Sequence, residues 1–199
     1  MSTRAKPALD PFVVSVGRLR RAPGTRRHEV VAAPFDPEGT LRPASSADSA
    51  VVDGAEATLD AVLESYPGGV MVAGTVRAPW TGVCRRCAVP VGGQLEVGVR
   101  ERFVDPWAGP GSDDDPEAYP IDGELIDLGP LVREALVLEL PLAPLCDPEC
   151  RGLCPSCGAD RNHETCHCVA PEDPRWANLG VLQTGSPDVE PDGDPPTGA

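Results

Sequence analysis

Apolar positions along this chain recur mainly at a period of two in its first half and at a helical period near residue 130. Residues 11–17, PFVVSVG, form a β-branched run bounded by Pro and Gly, which predicts a short strand. A basic loop around Pro23-Gly24 should lead into a strand over 28–33. From about 55 to 66, Leu59, Ala61 and Leu63 alternate with Thr58, Asp60, Val62 and Glu64, so one face should be buried as in a strand, with helix as the rival. Pro67-Gly68-Gly69 turns the chain into VMVAGTVRAPWTGVC, read as another strand, and Leu95, Val97, Val99 and Phe103 alternate over 94–104 as the next. Short turns between such strands imply an antiparallel sheet.

The period changes at LIDLGPLVREALVLELP. Asp127 is placed to cap, Pro130 fits an early helical position, and Leu131, Val132, Ala135, Leu136 and Leu138 supply a broad apolar stripe. A helix near 128–140 should therefore close over the sheet, ended by Pro141 and Pro144. Residues 105–120, DPWAGPGSDDDPEAYP, lack periodicity and predict a flexible acidic loop. The expected fold is α+β: an antiparallel sheet packed with one main helix, plus a small cysteine-rich C-terminal module. The expected divisions are a disordered N-terminus at 1–8, the α+β domain at 9–145, the module at 146–168, and a disordered acidic Pro/Gly-rich tail at 169–199.

Composition narrows the picture. The chain of 199 residues holds 24 prolines and 21 glycines, so the packed core is smaller than the length suggests, and a metal clip is a usual remedy. No apolar run approaches the roughly 20 residues of a membrane span. MSTRAKPALD has early cations but no apolar core of a secretory signal, so cytoplasmic placement with reduced thiols is expected. The net charge of −14 argues against a surface devoted to nucleic acid. The charge is nevertheless bipolar, because residues 1–35 carry seven Lys/Arg against Asp10 and Glu29. Arg18, Arg20, Arg21, Arg26 and Arg27 are the candidate RNA contacts in that basic head.

The eight cysteines carry the clearest chemistry. Cys84-Arg85-Arg86-Cys87 and Cys154-Pro155-Ser156-Cys157 both have the C-x2-C spacing, which lets two thiolates face one ion while backbone N–H groups donate to the sulfurs. Gly158 follows the second pair and can take the positive φ that closes such a turn, whereas Ala88 holds the matching place after the first. Cys166 and Cys168 lie two apart, on one side of an extended segment, and Cys146 and Cys150 would share a face of a helical turn. Two four-sulfur zinc sites are expected, structural in role. The favoured partition is Cys154, Cys157, Cys166 and Cys168 as a local site, with Cys84 and Cys87 completed by Cys146 and Cys150. The rival joins the two C-x2-C turns and leaves Cys146, Cys150, Cys166 and Cys168 together. His163 is a candidate replacement for one thiol, or a polar loop residue. Arg85, Arg86, Arg151 and Arg161 lie beside the clusters and suit either charge balance, phosphate contact or plain solvated surface.

Other thiol chemistries fit less well. Cys150, Cys154 and Cys157 match the C-x3-C-x2-C spacing of radical enzymes that use S-adenosylmethionine, but the chain after it is too short and polar for their barrel. The zinc deaminase signature is missing, since Leu153 precedes Cys154 and no H-x-E occurs. Neither C-x2-C pair has the strand-to-helix setting of a thioredoxin-like site. All-thiolate zinc leaves no position open to water, so no catalytic residues are assigned.

The ordered features, a sheet-forming half carrying "CRRC", an acidic loop, an apolar helix and then "CDPECRGLCPSCGADRNHETCHC", resemble the YceD family of bacterial proteins, described as large ribosomal RNA subunit accumulation proteins. The resemblance covers roughly residues 9–168, with "C-x-R-C" and "C-x-G-L-C-P-x-C-G" as its most specific parts. It implies a cytoplasmic, non-enzymatic accessory of ribosome biogenesis that supports accumulation of large-subunit (23S) ribosomal RNA. The implied partner is a large-subunit RNA precursor or a basic large-subunit ribosomal protein, with no membrane and no small-molecule substrate. A thiol-based redox sensor or a zinc reservoir is the alternative.

Overall fold

The computed structural model describes residues 10–35, 48–52, 54–105, 118–169 and 175. The expected disordered ends, except residue 169 and residue 175, and most of the acidic 105–120 segment lie outside them. The chain divides into two compact units whose boundary falls between Gly152 and Leu153, inside the 146–168 stretch.

The first unit is mostly strand. In chain order it contains β1 (Val13–Ser15), α1 (Gly17–Arg20), β2 (Arg26–Pro34), β3 (Ser49–Val51), β4 (Glu56–Tyr66), β5 (Gly69–Val83), β6 (Pro90–Val104), β7 (Tyr119–Asp122), β8 (Leu125–Asp127) and α2 (Gly129–Glu139). The sheet order is β1-β8-β7-β6-β5-β4-β2, with β3 added on β5. The two long strands β5 and β6 pair from Gly69↔Val104 to Val83↔Pro90, and β4 pairs the first half of β5 from Thr58↔Arg77 to Tyr66↔Gly69.

Alternation explains the strands. In β4, Ala57, Leu59, Ala61 and Leu63 are buried while Thr58, Asp60, Val62 and Glu64 face outward, so the helical alternative over 55–66 is not adopted. In β5, Val70, Val72, Val76 and Ala78 continue the same buried layer. Phe103, Ile126, Leu128, Leu131, Val132 and Leu136 belong to that apolar cluster as well. Each such side chain contributes roughly 1.5–3 kcal/mol on full burial, which makes this layer the main source of stability. Pro130 enters α2 at its first turn, and the Leu140 N–H closes the helix on the Leu136 carbonyl.

Four expectations are corrected. The unit is richer in strand than an α+β sheet with one helix, since β3, β7 and β8 join the sheet. The sheet is not wholly antiparallel, because β7 runs parallel to β6 through Phe103↔Tyr119 and Val104↔Pro120. The segment expected to be loop through residue 120 is therefore strand from Tyr119, where the Tyr119 ring stacks on Phe103 with centroids 5.1 Å apart. In the N-terminal run only Val13–Ser15 is strand, and α1 begins at Gly17. Among the described residues no helix is long and apolar enough to cross a membrane.

Candidate metal centres

The tip of the β5–β6 hairpin is the first cysteine turn. Cys84 follows the last residue of β5 and Cys87 lies just before β6, so the longest strand pair in the sheet presents both sulfurs. The Cys84 N–H donates to the Val89 carbonyl at 2.8 Å, and the Ala88 N–H donates to the Cys84 carbonyl at 2.8 Å. Closing that turn puts Ala88 at φ 62°, the one described non-glycine residue with positive φ. The chain leaving α2 then returns to this tip. The Arg85 N–H donates to the Pro144 carbonyl at 2.9 Å, and Ser49 Oγ donates to the Pro141 carbonyl at 2.7 Å. These contacts set Cys146 and Cys150 against the hairpin.

The second unit repeats the turn. The Cys154 N–H donates to the Ala159 carbonyl at 2.8 Å, and the Gly158 N–H donates to the Cys154 carbonyl at 2.9 Å, with Gly158 at φ 76°. Asp160 organises the next turn, since its Oδ1 accepts from the Asn162 N–H at 2.9 Å and its carbonyl accepts from the Glu164 N–H at 2.8 Å. Cys166 and Cys168 come back to the turn from there.

The sulfurs of Cys84, Cys87, Cys146 and Cys150 form one set, and those of Cys154, Cys157, Cys166 and Cys168 form another, each within 4.8 Å of one another. This is the local partition, and the arrangement that joins the two C-x2-C turns does not occur. Sulfur separations within the sets include 3.8 Å for Cys84–Cys150, 3.5 Å for Cys87–Cys146, 3.5 Å for Cys157–Cys166 and 3.3 Å for Cys154–Cys166. These are far from a disulfide's bond length of about 2.05 Å. Four sulfurs at about 2.3 Å from a tetrahedral zinc sit about 3.8 Å apart, so the donor sets fit such an ion.

The backbone and the neighbouring sulfurs split the thiols of each set. Burial works to raise the Cys84 thiol, yet hydrogen bonds from the backbone of Cys146, Cys87 and Arg86 bring it down to about 6. In the second set, backbone donors at Cys157 and Ser156 bring Cys154 to about 6. Cys146 is pushed up to about 12 by hydrogen bonding with Cys87 and Cys150, and Cys168 to about 12 by Cys166 and Cys157. Each set thus has one thiol that the backbone donors favour as a thiolate and another that its neighbouring sulfurs hold protonated.

Arg86 has a role that spacing gave no hint of. Its guanidinium Nη1 donates to the Pro148 carbonyl at 3.1 Å and to the Cys150 carbonyl at 2.8 Å, tying the returning segment to the hairpin tip. Arg85 is exposed and only 3.8 Å from Asp48 Oδ2. His163 stands apart from both sets, exposed and 3.7 Å from Asp160 Oδ2.

The candidate RNA contacts are placed less freely than the charge count suggested. Arg20 lies 2.5 Å from Asp105 and also donates to the Gly123 carbonyl at 2.9 Å. Arg21 pairs with Glu124 at 2.6 Å, Arg26 with Glu64 at 3.0 Å, and Arg27 with Glu29 at 2.6 Å. Arg18 is exposed and unpaired among the described residues.

Comparison with known proteins adds three observations. Residues 72–183, which include all eight cysteines, match the family described as Large ribosomal RNA subunit accumulation protein YceD. An uncharacterized protein of Mycobacterium tuberculosis is 37% identical over 180 residues, covering 89% of this chain and 84% of that protein. A protein of Arabidopsis thaliana named Large ribosomal RNA subunit accumulation protein YCED homolog 1, chloroplastic, is 33% identical over 66 residues, 33% of this chain and 21% of its own length. No solved structure matches the chain.

Proposed function

Because the chain belongs to the YceD family, we propose that it is a non-enzymatic accessory of ribosome biogenesis that supports accumulation of large-subunit ribosomal RNA in the cytoplasm. The observation that carries this reading is the family match across 72–183, the stretch that contains both cysteine sets. The partner is a large-subunit RNA precursor or a basic large-subunit ribosomal protein.

Cys84, Cys87, Cys146 and Cys150 would hold one zinc, and Cys154, Cys157, Cys166 and Cys168 a second. Bound zinc would supply a divalent charge enclosed by four thiolates, with no coordination position left for a reacting water. The work of this chain's own residues is then to hold segments in place. Cys146 and Cys150 fasten the segment after α2 to the β5–β6 tip, and Arg86 grips its carbonyls.

RNA contact through the basic head falls on Arg18, Arg20, Arg21, Arg26 and Arg27. Arg21–Glu124 and Arg26–Glu64 are largely exposed, and such pairs are worth at most about 1 kcal/mol, so phosphate is able to displace the carboxylates. Co-sedimentation of the tagged chain with large-subunit precursors on a sucrose gradient tests the reading, with RNA and proteins identified in the same fractions. The expected result is migration with the precursor. Migration solely as free protein, under conditions that keep precursors intact, would overturn it. The arginines should be replaced by Gln, since Glu would set like charges against Glu29, Glu64, Asp105 and Glu124 and confuse lost folding with lost binding.

A further inference from the structure

The two sulfur sets have the same chemistry but different surroundings. In the first, Cys84, Cys87 and Cys150 are buried at 1%, 6% and 4% exposure, and only Cys146 is open. In the second, Cys154 alone is buried, Cys166 is half-buried, and Cys157 and Cys168 are exposed. The first set joins segments 59 and 66 residues apart in the chain and is fastened from outside by Arg86 on the Pro148 and Cys150 carbonyls and by Arg85 N–H on Pro144. The second closes over contacts only 9 and 12 residues apart, and all its ligands come from the unit beginning at Leu153.

We propose that the two zinc sites have separate duties: Cys84, Cys87, Cys146 and Cys150 form a permanent clasp, and Cys154, Cys157, Cys166 and Cys168 form an exchangeable site. The exchangeable site gives its ion to a competing thiolate-rich or multidentate chelator while the sheet unit stays folded. The inference rests on zinc occupancy of both sets. Ligand exchange at zinc proceeds by an incoming donor approaching the ion as an existing thiolate leaves and takes a proton, so access to the sulfurs governs its rate. At the second set the incoming donor meets Cys157 and Cys168 at the surface. At the first set three sulfurs are covered, and the segments that bear them are held by bonds outside the sulfur cluster. Outer partners of this kind change metal affinity by roughly 10–100-fold, which sets the scale of the difference expected.

The test uses the full zinc-loaded chain and the chromogenic chelator 4-(2-pyridylazo)resorcinol, with release followed by absorbance. In parallel, N-ethylmaleimide labelling is mapped by mass spectrometry, and hydrogen exchange is read across β5 and β6. Two zinc ions per chain should leave in two phases of equal size, the faster by roughly tenfold or more. Cys157, Cys166 and Cys168 should be labelled in the fast phase, with β5 and β6 amides unchanged. The double variant Cys157→Ser, Cys168→Ser should lack the fast phase and keep the slow one. A chain that binds zinc but releases both ions in one phase, or that labels Cys87 and Cys150 first, would overturn the inference and leave zinc binding standing. A chain that takes up no zinc would overturn the zinc reading itself.

Discussion

The two cysteine turns share the C-x2-C spacing and a left-handed residue directly after it, Ala88 in one and Gly158 in the other, and exchanging that residue tests whether backbone geometry controls each site. Gly158 has φ 76° and nothing within 4 Å of where a Cβ would stand, so Gly158→Ala adds no clash. A left-handed backbone costs a non-glycine residue about 1–2 kcal/mol. Alanine recovers about 0.4–1 kcal/mol by restricting the unfolded chain. The net loss is about 1 kcal/mol, or about fivefold in the dissociation constant of the second site's zinc. Ala88, exposed at φ 62°, already bears that strain, so Ala88→Gly should leave the first site unchanged or tighten it by up to about 1 kcal/mol. Gly152 completes the series. It has φ 68°, and an added Cβ would stand 2.7 Å from the Arg86 carbonyl oxygen, so Gly152→Ala combines strain with a backbone clash and should cost about 2–4 kcal/mol. Zinc competition against a chelator of known affinity, with thermal unfolding of the same samples, measures all three. Equal affinity for Gly158→Ala and the parent chain, or a weakened first site in Ala88→Gly, would refute the reasoning.

Arg86→Ala should weaken zinc at the first site by roughly 10–100-fold, because it frees the Pro148 and Cys150 carbonyls, whereas Arg85→Ala should change it little; isothermal titration of both variants decides, and equal effects would reject the assigned role. The Tyr119 phenol is held above its ordinary value by desolvation and by its 2.5 Å hydrogen bond to Glu134. A raised folded pKa gives stability that is complete below the unfolded value of about 10 and is lost as pH rises beyond it. Melting temperature should therefore fall as pH rises above about 10, and Tyr119→Phe should reduce that fall; an identical fall in both proteins would show that Tyr119 contributes none of it. Leu136→Ala, at a fully buried position of α2, should destabilise the sheet unit by about 2–5 kcal/mol in urea unfolding, and a loss below about 1 kcal/mol would mean the helix is not part of that core.

Much of the sheet was legible because its long strands alternate cleanly. Leu59, Ala61 and Leu63 fixed one face of β4, and the Pro67-Gly68 turn delivered β5 in register. The three-residue strands β3 and β8 were not, since so few residues offer too little period to read. A signal for β7 and β8 was present in Asp122-Gly123, a turn pair between Ile121 and Leu125, Ile126, but the acidic stretch at 105–120 masks the start of β7 and the helical period beyond Asp127 masks β8. The grouping of cysteines followed from spacing and loop closure. The pairing of Arg26 with Glu64 did not, because it depends on the β2–β4 register, which opposes these two residues across 38 positions of chain. The grip of Arg86 on carbonyls 62 and 64 residues away leaves no trace in side-chain chemistry, since every residue has a carbonyl.

The role proposed for this chain is to support accumulation of large-subunit ribosomal RNA without performing a reaction. The most direct measurement is the ratio of large-subunit to small-subunit ribosomal RNA in cells depleted of the chain, complemented with the parent sequence or with a variant lacking all eight cysteines. The ratio should fall on depletion and recover with the parent sequence but not with the cysteine-free variant. An unchanged ratio on depletion would contradict the assignment to ribosomal RNA accumulation, and full recovery with the cysteine-free variant would contradict a need for the two cysteine sets.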